Sequence, residues 1–218
     1  MATYLEESIA KLESFEGVIP WMYLDTVGKV TVGVGLMLPN AAAALRLPFH
    51  IEGQPATEDE IAAEFARVDA MPMGRAALFY RGKSGPELAR ADIDALLRTV
   101  LTGFEIELRG TLATYDGLPG DVKLALLDMI YNLGPAGLLL GYPRMIKAVA
   151  AGHWAEAARE CLRHGPGAVR NEWTREMFLG NVVGSVKAAT ESGWKRFGFG
   201  LLGLGAAVVE KIRGKREL

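Results

Sequence analysis

Two carboxylates and one hydroxyl lie close together near the beginning of the chain. Asp25 follows Glu16 by nine positions, and Thr31 follows Asp25 by six. Hydrolysis of a glycosidic bond requires one carboxyl group that protonates the leaving oxygen and a second carboxylate that faces the other side of the sugar ring. This short segment could supply both groups.

The first carboxylate is expected at the end of a helix. Leu5, Ile9 and Leu12 recur at helical spacing within residues 4–15. The same face, extended by one more turn, reaches Glu16. Glu16 is therefore expected to lean towards apolar neighbours.

The second carboxylate and the hydroxyl are expected on a β-hairpin. Residues 21–25 show the alternation of a strand, and residues 26–29 contain a glycine and fit the turn. In this arrangement Asp25 and Thr31 face the same side. Two glycines follow Thr31 on that side, which would leave it bare for the close approach of a ligand.

Length and composition indicate one globular domain, or one domain built from two lobes. Of the 218 residues, 50% are hydrophobic and 23% are charged. A net charge of -2 gives no general attraction to nucleic acid, so no nucleic-acid partner is expected. The single cysteine, Cys161, excludes an internal disulfide and is interpreted as a buried thiol. The three histidines lack metal-binding spacing, and we expect no metal and no cofactor.

The rest of the chain indicates mainly helices. Thr57 and Glu60 fit a capping box that opens a helix over residues 61–68. Residues 92–112 form a long amphipathic pattern, and residues 121–133 are apolar on nearly every side, as expected at the centre of a larger lobe. Because strands are predicted only near the start, the fold class is α+β and mainly helical.

Four stretches carry a more specific pattern in a fixed order. They are Phe15-Glu16-Gly17 with Tyr23-Leu24-Asp25 and Thr31-Val32-Gly33-Val34-Gly35, then Asp128-Met129-Ile130-Tyr131-Asn132-Leu133-Gly134, then Trp154-Ala155-Glu156-Ala157-Ala158, and finally Arg170-Asn171-Glu172-Trp173-Thr174-Arg175. Together they resemble the phage-type lysozymes of glycoside hydrolase family 24. The resemblance covers most of residues 5–180.

The resemblance implies a role for each residue of the first stretch. Glu16 would be the general acid, Asp25 would activate water, and Thr31 would position that water. The family resemblance also implies inversion, which requires the two carboxyl groups to lie roughly 6.5 to 9.5 Å apart. Arg170 would pair with Glu16 and favour its charged form, whereas the apolar neighbours would favour the neutral form; the sequence leaves this balance open.

Two further residues would line the cleft by resemblance. Tyr131 would stack on a sugar and Asn132 would bind its hydroxyls. Each has a structural alternative, since Tyr131 fits the core and Asn132 fits a cap before Gly134. We interpret Tyr131 as a core residue and leave both interpretations of Asn132 open.

The implied architecture is a two-lobed lysozyme-like fold over residues 1–184. Residues 17–90 would form the small hairpin lobe, and residues 91–184 with the N-terminal helix would form the helical lobe. Residues 185–218 would be an apolar and basic extension. The chain departs from the family pattern at Leu36, where a histidine is usual, and over residues 39–88, which are longer than the usual small lobe.

The implied activity is that of a muramidase, which cleaves the β-1,4 bond between N-acetylmuramic acid and N-acetylglucosamine in peptidoglycan. Two alternatives remain, a wall-binding module without activity and a related glycan hydrolase such as a chitosanase. Residues 144–175 contain six Lys or Arg and three Asp or Glu, and residues 195–218 contain six Lys or Arg and two Asp or Glu. This excess of positive charge suits a polyanionic polymer.

The implied setting is the periplasm or cell wall. The first seven residues lack the basic start and apolar run of a secretory signal, so delivery by a phage pore or by a secretion machine is expected. The first route implies an endolysin and the second an antibacterial effector with an inhibitor or immunity protein. The tail from Lys195 would be a packed helix, a membrane-contacting segment or a partner-binding segment.

Overall fold

The structure is a computed structural model that describes residues 3–181. Within these residues the helices are α1 (Tyr4–Glu16), α2 (Ala41–Ala44), α3 (Glu58–Asp69), α4 (Ala77–Tyr80), α5 (Arg90–Thr111), α6 (Gly120–Gly141), α7 (Pro143–Ala150), α8 (Trp154–Glu160) and α9 (167–181). A short 3-10 turn at Tyr115–Gly117 joins α5 to α6. The helices predicted in the first 180 residues are confirmed, whereas the extension 185–218, including the tail from Lys195, lies outside the described residues.

One antiparallel sheet forms the small lobe. Its strands are β1 (Ile19–Leu24), β2 (Val30–Gly33), β3 (Leu36–Met37), β4 (Phe49–Ile51), β5 (Gln54–Pro55) and β6 (Glu87–Leu88). They lie in the order β3-β2-β1-β6-β4-β5. The predicted hairpin is therefore one part of a six-stranded sheet.

The expectation that strands occur only near the start of the chain is wrong. β4, β5 and β6 come from the long middle segment, and each contains only two or three residues. An alternation of two residues cannot be distinguished from a loop, so no strand period can be recognised in that segment. The fold class itself, α+β and mainly helical with a small sheet lobe, is confirmed.

The first half of α6 is the buried centre of the helical lobe, as predicted. Every residue from Val122 to Ile130 is buried, and α1 and α5 pack against this helix. By length and composition α6 could cross a membrane, but burial by its neighbours is typical of a core helix. The helix breaks at Gly134, whose φ of 70° and ψ of 167° are not helical.

Cys161 is a buried free thiol, which confirms its interpretation. Burial raises the pKa of this thiol to about 11. Because the thiolate is the reactive form, the side chain is expected to be inert near neutral pH in the folded protein.

Candidate active site

Glu16 is the last residue of α1, and local signals at both ends of the helix determine its place. Thr3 and Glu6 form a capping box at the start. At the end, Gly17 has a φ of 76° and a ψ of 174°, and its N–H donates to the carbonyl of Glu13 at 2.9 Å. This backbone conformation is almost restricted to glycine, so the chain turns away from the helix immediately after Glu16.

Gly17→Ala is expected to lower the free energy of unfolding by about 1 to 3 kcal/mol, because alanine is strained in this backbone conformation. A methyl group at Gly17 would meet nothing within 4 Å, so the effect arises from the backbone alone. Gly103→Ala, on an open and exposed face of α5, is the matched control and should stabilise the protein by roughly 0.5 to 1 kcal/mol. Urea unfolding would measure the free energy of unfolding of both variants. A change in the same direction for Gly17→Ala and Gly103→Ala would contradict the prediction.

A buried arginine holds the Glu16 carboxylate. Arg170, on α9, donates from Nη1 to Glu16 Oε1 at 2.5 Å and from Nε to Asp128 Oδ1 at 2.8 Å. Its guanidinium also lies over the Phe15 ring, 5.0 Å from the centroid. The structure therefore forms the Glu16 to Arg170 pair that the family resemblance implied.

Asp128 links Arg170 to a second buried arginine. Arg163 donates from Nη2 to Asp128 Oδ2 at 2.6 Å, and Thr174 Oγ1 lies 3.0 Å from the same oxygen. Asp128 and Arg163 are only 2% and 4% exposed. Burial alone would lower the pKa of Arg170, but the carboxylates of Asp128 and Glu16 outweigh burial and raise that pKa, so the guanidinium stays charged.

Sequence reasoning missed this network beyond its Arg170 to Glu16 contact. It treated Asp128 only as part of a core-helix motif and assigned no role to Arg163 or Thr174. A signal was present, because a carboxylate in a helix that is apolar on nearly every side must find a partner when it is buried. The sequence does not show which of the late arginines supplies that partner.

Asp25 lies directly after β1, at the bend of the hairpin. Its Oδ1 accepts the N–H groups of Val27 at 2.9 Å and Lys29 at 2.8 Å. No group of the described residues donates to Oδ2. The turn thus fixes the carboxylate through one oxygen and leaves the other for a ligand or water.

The phenol of Tyr23 is influenced by the charges of both carboxylates, an effect that sequence reasoning missed. Burial, then the charge of Glu16, then the charge of Asp25 raise the pKa of its phenol to about 12. Both carboxylates are therefore near enough for their charges to act on one hydroxyl. At neutral pH this phenol is protonated and can donate a hydrogen bond.

Thr31 lies opposite Tyr23 in the register of β1 and β2, which agrees with its predicted face. Its hydroxyl is inside the protein, since Thr31 is 3% exposed and donates to the carbonyl of Lys29 at 3.0 Å. The register places Thr31 on the side of Asp25. The contact of the Thr31 hydroxyl with a water molecule stays a prediction.

The glycine face that was expected to be bare is covered at Gly33, whereas Gly35 is exposed. A methyl group at Gly33 would lie 3.5 Å from Ile93 of α5, and one at Gly35 would lie 4.0 Å from the hydroxyl of Tyr131. The missing side chain at Gly33 thus allows α5 to approach the strand, while Gly35 remains open to solvent. The hairpin sequence alone cannot show that a helix some 60 residues later packs on it.

Tyr131 and Asn132 have different surroundings. Tyr131 donates to the carbonyl of Val34, packs edge to face on Phe104, and has a pKa raised by burial and by Glu16. It fastens α6 to the hairpin, in agreement with the interpretation as a core residue. Asn132 is exposed, and among the described residues its side chain forms no capping hydrogen bond, so it is accessible to a ligand.

The basic stretch over residues 144–175 is less available than its composition suggested. Arg163 and Arg170 are buried in the network around Asp128. On the surface, Arg144 pairs with Glu160 at 3.1 Å and Arg175 pairs with Glu172 at 2.6 Å. Four of the six cations are thus compensated, and steering of a polyanion by this stretch is weak.

The arrangement can perform acid and base chemistry with protein groups. One carboxylate is held by a buried arginine, a second has a free oxygen, and a neutral phenol lies near both. Within residues 3–181, no group of three or more His, Cys, Asp or Glu side chains is placed to hold a metal ion.

Comparison with known proteins gives similarity only at the level of structure. No protein family and no curated protein matches the sequence. The muramidase domain of SpmX from Asticaccaulis excentricus is 17% identical over 79% of this chain and 95% of that one, with a TM-score of 0.49. A variant of P22 lysozyme is 17% identical over 82% of this chain and 99% of that one, with a TM-score of 0.49. Both similarities concern the fold, and at this identity and TM-score neither of them indicates an activity for this chain.

Proposed function

We propose that the chain is a glycoside hydrolase that cleaves peptidoglycan as a muramidase. The observation that carries the proposal is a pair of carboxylates in separate elements, each fixed by hydrogen bonds, whose charges both raise the pKa of the Tyr23 phenol. Glu16 is held at the end of α1 by Arg170, and Asp25 is held at the hairpin bend through Oδ1. Two carboxyl groups in separate elements that face one space are the requirement for hydrolysis of a glycosidic bond.

The proposed reaction uses the two oxygens of each carboxyl group differently. Oε1 of Glu16 accepts the hydrogen bond from Arg170, so Oε2 would carry the proton that passes to the glycosidic oxygen. Oδ2 of Asp25 would accept a proton from water as the water oxygen bonds to the anomeric carbon. Attack from the face opposite the leaving sugar inverts the anomeric configuration.

Thr31 is proposed to orient the attacking water. Its hydroxyl proton is used in the bond to the carbonyl of Lys29, so its oxygen can act only as an acceptor there. An acceptor beside Asp25 would hold one hydrogen of the water while the carboxylate takes the other. Asn132, exposed on α6, is proposed to bind sugar hydroxyls.

Thr31→Val is expected to lower the hydrolysis rate by about tenfold, less than loss of either carboxylate, because proton transfer remains intact. The loss of one hydrogen bond should also lower the free energy of unfolding by about 1 kcal/mol. Initial rates on purified peptidoglycan and urea unfolding would measure the two effects. Thr99→Val, which removes a comparable hydroxyl from the exposed face of α5, is the control and should leave the rate unchanged.

The biological setting is proposed to be the periplasm or cell wall. The protein would serve as a phage endolysin released through a membrane pore, or as an antibacterial effector delivered by a secretion machine. The effector role requires an inhibitor or immunity protein in the producing cell, and the endolysin role does not. Isolation of a protein that blocks hydrolysis at a one-to-one ratio would favour the effector.

Digestion of purified peptidoglycan tests the proposed activity. New reducing ends, labelled by borohydride reduction, should lie on muramic acid, and the first product should have the inverted configuration by NMR. Peptidoglycan treated in parallel with the Glu16→Gln variant gives the background level of reducing ends. Reducing ends on glucosamine would instead identify another glycan hydrolase, and tight binding to the wall without any new ends would identify a binding module.

A further inference from the structure

An exposed surface at the hairpin tip takes no part in the hydrolysis proposed above. It comprises four apolar side chains at the hairpin tip and on the segment from residue 70 to residue 86, which we call the apolar-basic surface. Their exposed fractions are large, at 69% for Val27, 57% for Met73, 69% for Leu78 and 49% for Phe79.

The same segment is basic and contains no acid. Residues 70–86 include Arg75, Arg81 and Lys83, and no Asp or Glu occurs between Asp69 and Glu87. Arg75 lies over the Phe79 ring, 5.6 Å from its centroid, so a cation and an exposed aromatic ring share one face. Arg81 is paired with Glu87 at 2.8 Å, whereas Arg75 and Lys83 form no ion pair within the described residues.

The apolar side chains are held outward by a fixed segment. Tyr80 is fully buried, and its hydroxyl donates to the carbonyl of Pro72 at 3.0 Å. Trp21 of β1 donates from Nε1 to the carbonyl of Ala77 at 2.9 Å, and Arg67 of α3 donates to the carbonyl of Tyr80. These bonds at three points explain why Leu78 and Phe79 stay exposed instead of turning into the core.

We propose that the apolar-basic surface docks onto an anionic lipid bilayer. Exposed apolar side chains that alternate with Arg and Lys are suited to the boundary between headgroups and acyl chains, where the apolar parts enter and the cations meet lipid phosphates. The charge argues against the chain's own tail as the occupant, because residues 195–218 carry six cations and two acids and would be repelled by Arg75 and Lys83.

Docking would place the candidate site next to the membrane. Val27 is two residues from Asp25, and Met73 packs on Gly28 of the same hairpin turn, with Sδ 3.6 Å from the position of a Cβ there. The hairpin bend that carries Asp25 would thus lie at the bilayer surface. The inference does not depend on the proposed activity, since binding is measured without any glycan.

Sedimentation of the full chain with lipid vesicles tests the binding. Vesicles of phosphatidylglycerol and phosphatidylcholine should bind the protein at least about tenfold more tightly than phosphatidylcholine alone, and 0.5 M NaCl should weaken this binding because it screens the cations.

Two double variants test the two parts of the surface. Leu78→Ser with Phe79→Ser, and separately Arg75→Gln with Lys83→Gln, should each reduce binding about tenfold. Ile106→Ser with Leu140→Ser, two exposed apolar residues elsewhere, is the matched control and should change binding less than about twofold. Equal binding to both vesicle types, or equal effects of the surface and control variants, would overturn the proposal.

A fluorescent label shows whether the surface itself enters the lipid. Because Cys161 is buried with a raised pKa, the thiol of Leu78→Cys or of the control Leu140→Cys can be labelled selectively at neutral pH. A blue shift of the label on addition of anionic vesicles is expected at position 78 and not at position 140. Sedimentation without a shift at position 78 would assign the contact to another part of the chain, and a blue-shifted label before vesicles are added would show that the chain's own tail or a second copy covers the surface. Either result would overturn the proposal.

Discussion

Replacement of Glu16 by glutamine is expected to lower the rate of peptidoglycan hydrolysis by about 100-fold to 10,000-fold, the usual contribution of a general acid. Glutamine keeps the size of the side chain and an oxygen that can accept the 2.5 Å bond from Arg170, but it has no proton to give to the leaving sugar. Asp25→Asn should cause a similar loss, since its amide oxygen still accepts the turn N–H groups but cannot take a proton from water. Release of soluble fragments from purified walls would measure both rates.

The fold should survive both substitutions, which separates a chemical effect from a structural one. Arg170 keeps the carboxylate of Asp128, which it shares with Arg163, so loss of the Glu16 charge should lower the free energy of unfolding by roughly 1 to 3 kcal/mol, less than loss of the more deeply buried Asp128. Glu7→Gln makes the same chemical change on an exposed position of α1 and should leave the rate unchanged. Parent-like hydrolysis by a folded Glu16→Gln protein would refute the assignment of the acid.

Local patterns predicted the parts of the site that depend on neighbours in sequence. The helical stripe placed Glu16 at the end of α1, and strand alternation placed Asp25 and Thr31 on one side of the hairpin. The capping box at Thr57 likewise predicted α3, with both of its hydrogen bonds present. In each case the determining contacts lie within a few residues, so the sequence shows both partners together.

Contacts between distant segments were not predictable in the same way. Gly33 is covered by Ile93 of α5 while Gly35 is exposed, and whether a helix covers a given glycine depends on how whole elements pack. Tyr23 was placed on the correct face, but its position near both carboxylates depends on the angle between α1 and the hairpin. Among the short strands of the middle segment, β6 pairs with β1, β4 pairs with β6 and β5 pairs with β4, so these strands depend on pairing between distant segments.

Asp128→Asn is expected to be the most destabilising single substitution discussed for this chain. Loss of its charge leaves Arg163 and Arg170 buried with only Glu16 to balance them, and a buried ion pair that loses one partner typically costs about 3 to 5 kcal/mol. Asp116→Asn is the matched control, because Asp116 pairs with Arg109 at 2.8 Å but is 76% exposed. The control should cost about 1 kcal/mol or less. Urea unfolding of the two variants compares the same chemical change in a buried and an exposed pair.

Removal of Arg163 in the Asp128→Asn background should restore part of the lost stability. The side chain of Arg163 is fully buried, and Asp128 is its only acidic partner among the described residues. Arg163→Met in that background removes the uncompensated cation and leaves Arg170 balanced by Glu16. The double variant should therefore be more stable than Asp128→Asn alone by at least about 1 kcal/mol, a coupling that residues in direct contact commonly show. If the two losses simply add, or if Asp128→Asn unfolds at the same urea concentration as Asp116→Asn, then the buried charges do not stabilise one another and the support of Glu16 by this network must be rejected.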